Sequence, residues 1–67
     1  MSGIEQAAAL CGSQSGLARA LGVTPQYISL SIKKGFISPK YAAEIEHLTG
    51  VDRRSLVDPK LLRMIAA

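Results

Sequence analysis

Apolar residues along this chain recur at helical spacing in short runs. Ile4, Ala7, Ala8 and Cys11 fall on one face, as do Leu17, Ala18 and Leu21; then Ile28 and Ile32; then Ala42, Ile45 and Leu48; and finally Leu61, Leu62 and Ile65. Steps of three and four residues put side chains on one side of an α-helix. No stretch alternates with period two beyond a few residues, and there is no Asn-Gly or Asp-Gly hairpin signal. The pattern predicts an all-α domain of four to five short helices.

Prolines and glycines place the boundaries. Thr24-Pro25, Ser38-Pro39 and Asp58-Pro59 each pair a good N-cap with a residue whose missing N–H costs nothing at the first helical position. Gly12, Gly22, Gly35 and Gly50 follow apolar or basic helical ends, where a left-handed residue terminates a helix. Helix 1 is expected from Ser2, in a capping box with Glu5, to near Cys11. Helix 2, capped by Ser13, runs from Gln14 to Leu21, and helix 3 from Pro25 to about Lys34. Helix 4, capped by Ser38, runs from Pro39 to about Thr49, with Glu44 and Glu46 outward and Phe36 and Ile37 plugging the core beneath helix 3. Asp52 caps a short turn containing Leu56 and Val57, and Pro59 starts a last segment, Lys60 to Ala66. Gly16 sits awkwardly inside helix 2, because an interior glycine costs roughly 1 kcal/mol against alanine. Either it permits close approach of another backbone or it is simply tolerated.

Residues 14–35 organise the rest. They read as two helices crossing at a tight turn, a helix-turn-helix whose second helix enters the DNA major groove. Gly22 ends the first helix, Ala18 gives the second room to approach, Val23 plugs the corner, and Leu17, Leu21 and Ile28 supply the shared core. At 100° per residue, Ile28 and Ile32 point inward with Ser31 beside them. The opposite stripe holds Gln26, Ser29, Leu30 and Lys33, with Lys34 at one margin and Tyr27 on a flank.

Charge sharpens this picture. The 67 residues suffice for one domain, and 48% hydrophobic content is ample for a core. Net charge is only +3, yet all five acids (Glu5, Glu44, Glu46, Asp52, Asp58) lie outside residues 6–43, a window holding Arg19, Lys33, Lys34 and Lys40. A one-sign stretch over the motif is the footprint of a nucleic-acid face; the competing explanation is an ordinary solvated surface. Gln26 offers the donor–acceptor pair that suits adenine, and Leu30 can pack on a thymine methyl or be an ordinary exposed leucine. Phosphate contacts are expected from Gln14 and Ser15 at the start of helix 2, where free N–H groups favour an anion. Arg19, Lys34 and Lys40 are expected as point charges and Tyr27 as a flanking contact.

Other chemistry finds little support. Cys11, the single cysteine, cannot form an intramolecular disulfide, which suits a reducing cytoplasm, and it is expected to pack as a small hydrophobe. His47 has no set of partners at zinc-ligand spacing. No apolar run approaches membrane-spanning length, and Ala7-Ala8-Ala9-Leu10-Cys11 lacks the basic flank of a lipoprotein signal. There is no nucleophile–base arrangement and no phosphate loop, so the chain is read as a non-enzyme with no cofactor, no metal, no small-molecule substrate and no membrane partner.

Gly12-Ser13-Gln14-Ser15-Gly16-Leu17-Ala18-Arg19-Ala20-Leu21-Gly22-Val23-Thr24-Pro25-Gln26-Tyr27-Ile28-Ser29, followed by a basic segment, Gly35 and a fourth helix closing in Glu46-His47-Leu48-Thr49-Gly50-Val51, resembles the Cro proteins of lambdoid phages and the related YdaS-type prophage regulators. The likeness covers residues 13–50. It implies a lambda-repressor-like helix-turn-helix fold and a cytoplasmic, nucleoid-associated repressor, dimeric on pseudo-palindromic double-stranded operators. The family's base-contacting positions fall on Thr24, Pro25, Gln26, Ser29, Leu30 and Lys33, and Pro25 offers no N–H. Many relatives carry Trp where this chain has Ser31, and the likeness fades after Gly50. The tail, residues 51–67, is expected to serve dimerisation or packing. The alternative is a YdaS-like antitoxin or interaction module, whose apolar tail (Leu56, Val57, Leu61, Leu62, Met64, Ile65) binds another protein.

Overall fold

Side-chain caps set four of the α-helix starts, at Ser2, Ser13, Thr24 and Asp58, whose carboxylate accepts from Lys60 N–H at 2.9 Å. In the computed structural model, which describes residues 2–66 and the side chains of residues 2–64, Ser2 and Glu5 form a reciprocal capping box that starts α1 (Gly3–Leu10). Ser13 accepts from Gly16 N–H to start α2 (Gln14–Leu21), and Thr24 accepts from Tyr27 N–H to start α3 (Pro25–Lys34). Each bond satisfies a first-turn donor that has no intrahelical acceptor. α4 (Pro39–Thr49) departs from expectation. Ser38 occupies the N-cap position with extended backbone, but its hydroxyl makes no capping bond.

Asp52 accepts from Arg54 N–H to start a single 3-10 turn (Arg53–Ser55), and α5 (Pro59–Ala66) closes the chain. The described residues contain helices and turns and no strand, so the chain is all-α. None of these helices is long and apolar enough to cross a membrane.

The core draws on every element up to the 3-10 turn and the two residues after it. Ile4, Leu17, Ile28, Ile45 and Leu56 are its largest fully buried side chains, packed with Ala7, Ala18, Ile37 and Ala42. α3 rests on α2 and α1, and α4 packs beneath them against α1 and α2. Leu56 and Val57, which the alternative reading placed in a tail that binds another protein, are buried in this core. Two contacts fix them there: Ile37 N–H donates to Leu56 O at 2.7 Å, and Glu46 holds Arg53 through both its backbone and side-chain N–H groups at 2.9 Å. The expected inward stripes also need correction. Leu48 is 52% exposed, Ile32 is only partly buried, and Cys11 is half-buried as the C-cap of α1. Phe36 is half-buried, whereas Ile37 is buried. Leu61 and Leu62 pack partly against the core; the side chain of Ile65 lies outside the described residues.

The question left open at Gly16 is answered by geometry. A Cβ there would fall onto the carbonyl oxygen of Cys11, so the start of α2 presses against the end of α1 as only glycine allows.

Candidate nucleic-acid interface

The α2–α3 corner is built by Gly22. Its φ of 73° places it in the left-handed region, and its N–H is shared between Ala18 and Arg19 carbonyls. Val23 N–H also reaches Ala18 O, at 2.9 Å, and the Val23 side chain packs partly against the core. The chain is thereby reversed within three residues, and Thr24 with Pro25 at once starts α3.

Two residues hold α3 from below. Ile28 is fully buried, and Ser31, not Ile32, is the second buried position at 4% exposure. A polar side chain is tolerated there because Ser31 Oγ donates to Tyr27 O at 2.9 Å, satisfying itself within its own helix. A small residue at that position lets α3 lie close to its neighbours.

The opposite face is free. Gln26, Ser29, Leu30 and Lys33, spaced i, i+3, i+4 and i+7, are all exposed along one stripe, with Leu30 56% exposed. Thr24 and Pro25, at the tip of that stripe, are exposed too, although the Thr24 hydroxyl already accepts the capping bond and keeps only its proton and second lone pair for another partner. Gln14, Ser15 and Arg19 are exposed on α2, and the N–H groups of Gln14 and Ser15 open from its first turn without intrahelical acceptors. Lys33 and Lys34 occupy the last turn of α3, where they also complement the helix dipole.

Tyr27 does not stand alone on its flank. It is half-buried, and its ring meets Tyr41 of α4 edge-on, centroids 5.6 Å apart at 64°. The Lys40 ammonium lies 5.6 Å from the Tyr41 ring centre. This contact ties the first turn of α3 to the first turn of α4 and brings Tyr27 and Lys40 onto one surface. Tyr41 was missed in the sequence. Its signal was faint: an aromatic in the first turn after Ser38-Pro39, one helical turn before the inward Ile45.

Among the described residues, two ion pairs form, Arg53 with Glu46 and Arg54 with Asp52, both on the far side of the sequence from the motif. Hydrogen bonds from Arg53, backbone first and then guanidinium, hold the Glu46 carboxyl below its usual range, and those from Arg54, guanidinium first, do the same for Asp52. Arg19, Lys33, Lys34 and Lys40 are exposed and enter no ion pair among those residues.

A family model described as bacterial toxin YdaS matches residues 4–57, from the first buried hydrophobic side chain of α1 to the last core residue after the 3-10 turn. The chain belongs to the YdaS family. The match lies on the YdaS side of the expected resemblance rather than the Cro side, and it reaches well beyond residues 13–50 while leaving out α5. Its description says toxin, whereas the alternative reading of the sequence had cast such a chain as an antitoxin. Comparison of this YdaS-family chain with curated proteins and with solved structures gave no match.

Proposed function

We propose that this YdaS-family chain is a sequence-specific DNA-binding transcriptional regulator, a Cro-type repressor of phage or prophage genes. The observation that carries the reading is the exposed α3 stripe Gln26–Ser29–Leu30–Lys33, mounted on a helix-turn-helix corner whose surrounding cations lack acidic partners. A helix presented this way fits the major groove, where Gln26 reads adenine, Leu30 meets a thymine methyl, and Ser29 and Lys33 complete the contact with Thr24 and Pro25 at the tip. Gln14, Ser15, Arg19, Tyr27, Lys34 and Lys40 hold phosphates and set the register, as such contacts do without reading sequence. The protein acts as a homodimer on a pseudo-palindromic operator, with no cofactor and no catalytic step.

Selection of bound sequences from a random DNA pool tests this. The expected result is a short site, with two half-sites about one helical turn (~34 Å) apart. A pool that stays random refutes it.

The family description favours one second reading, in which the chain harms its host by engaging a protein. Expression in a host cell separates the two. Growth arrest abolished by a combined Gln26→Ala and Lys33→Ala variant belongs to DNA binding, and arrest that persists belongs to a protein target.

A further inference from the structure

Between α2 and α4 lies an open groove of about 340 Å³, lined by Ala20, Ala43, Glu44, His47 and Leu48. Its floor is apolar because two of the lining residues are alanines, too small to close the gap between the helices. Leu48, half exposed, forms one wall, and Glu44, exposed, stands among the lining residues without an ion-pair partner among the described residues. The groove therefore suits an apolar side chain flanked by positive charge.

The chain carries such a feature itself. On α5, Leu61 and Leu62 pack partly against their own core, whereas Lys60, Arg63 and Met64, spaced i, i+3 and i+4, share another face. All three are exposed, and Met64, at 76%, is the most exposed large apolar side chain described. A methionine between two cations is flexible enough to fill an irregular slot, and its cations complement an acid at the rim. α5 contains no acid of its own.

We propose that the groove between α2 and α4 is the self-association surface of this protein, receiving the Lys60–Arg63–Met64 face of α5 from a second copy. Met64 enters between Ala20, Ala43 and Leu48, and Arg63 meets Glu44. In a two-fold dimer each copy supplies one helix and one groove, so both contacts form twice. None of these residues belongs to the α3 stripe, and the proposal stands whether or not DNA is what that stripe reads.

Sedimentation equilibrium of the full chain without DNA tests it. Glu44→Arg and Arg63→Glu are each expected to weaken the dimer about tenfold, because a rim pair becomes a like-charge clash. The double variant is expected to recover most of the loss, a rescue that a folding defect would not give. Leu48→Glu should leave a monomer with unchanged circular dichroism. A wild-type chain that stays monomeric overturns the proposal, as does a dimer indifferent to all three single changes or a double variant no better than its parents. A monomer whose groove is occupied by some other protein overturns it equally.

Discussion

Gly16→Ala pits a local rule against a tertiary contact. Helix propensity alone says the change stabilises α2 by about 1 kcal/mol, since alanine loses less backbone freedom on folding. The structure says otherwise. The new Cβ would press into the Cys11 carbonyl oxygen, well inside van der Waals contact, and lie 3.3 Å from its carbon and 3.5 Å from Ser13 Oγ. A backbone carbonyl cannot swing aside as a side-chain tip can, and Cys11 is anchored by its N–H to Ala7 O at 3.0 Å. Relief requires α2 to back away from α1, which strains the Ser13–Gly16 capping bond as well. Overpacking of this kind costs about 1–3 kcal/mol. With the clash against backbone placing it at the upper end, the net loss is about 1–2 kcal/mol. That is a large share of the roughly 3–10 kcal/mol expected for a domain of this size. The melting temperature should fall by about 5–15 °C. Urea titration followed by circular dichroism measures it, with Ser15→Ala as the exposed control in which propensity acts alone. A Gly16→Ala chain as stable as the wild type would refute the reasoning.

The remaining expectations concern caps, core and pH. Thr24→Ala should cost about 1 kcal/mol by losing a capping bond, whereas Ser38→Ala, at an N-cap whose hydroxyl caps nothing, should cost less than about 0.5 kcal/mol; denaturant midpoints distinguish them. Leu56→Ala should cost about 2–5 kcal/mol, because the side chain is fully buried; a loss near zero in thermal melts would contradict its place in the core. Glu46 and Asp52 have lowered carboxyl pKa values, so the stability they lend is complete above about pH 5 and is lost as pH falls through those lowered values. Glu46→Gln should therefore flatten the acid side of the melting-temperature profile, most visibly at low salt because the Glu46 carboxylate is only half-buried.

Much of this fold was legible because its boundaries are written in short-range chemistry. Capping by Ser2, Ser13, Thr24 and Asp52, the first-turn prolines, and the left-handed Gly22 depend on neighbours within a few residues. The outward stripe of α3 followed from helical period alone. What escaped depended on how elements meet. Leu48 has the right period for burial but flanks a seam whose alanines leave the groove open. Ser31 displaces Ile32 from the deepest position because a serine can satisfy its hydroxyl on its own helix, which polarity scales do not count. Leu56 and Val57 looked like spare apolar residues until Ile37 and Glu46, distant in sequence, were seen to hold their segment in place. Tyr41 entered the candidate interface only through its contact with Tyr27.

The central claim is that the α3 stripe reads base sequence. Fluorescence anisotropy at one fixed salt concentration, comparing the selected site with a scrambled duplex, tests it on Gln26→Ala and Lys34→Ala. A base contact carries about 1–3 kcal/mol of discrimination, so Gln26→Ala should reduce the specific-to-scrambled affinity ratio by about five- to a hundredfold. Lys34→Ala should weaken both duplexes equally and lower the salt slope by about one unit. Equal losses on both duplexes from Gln26→Ala would contradict the account.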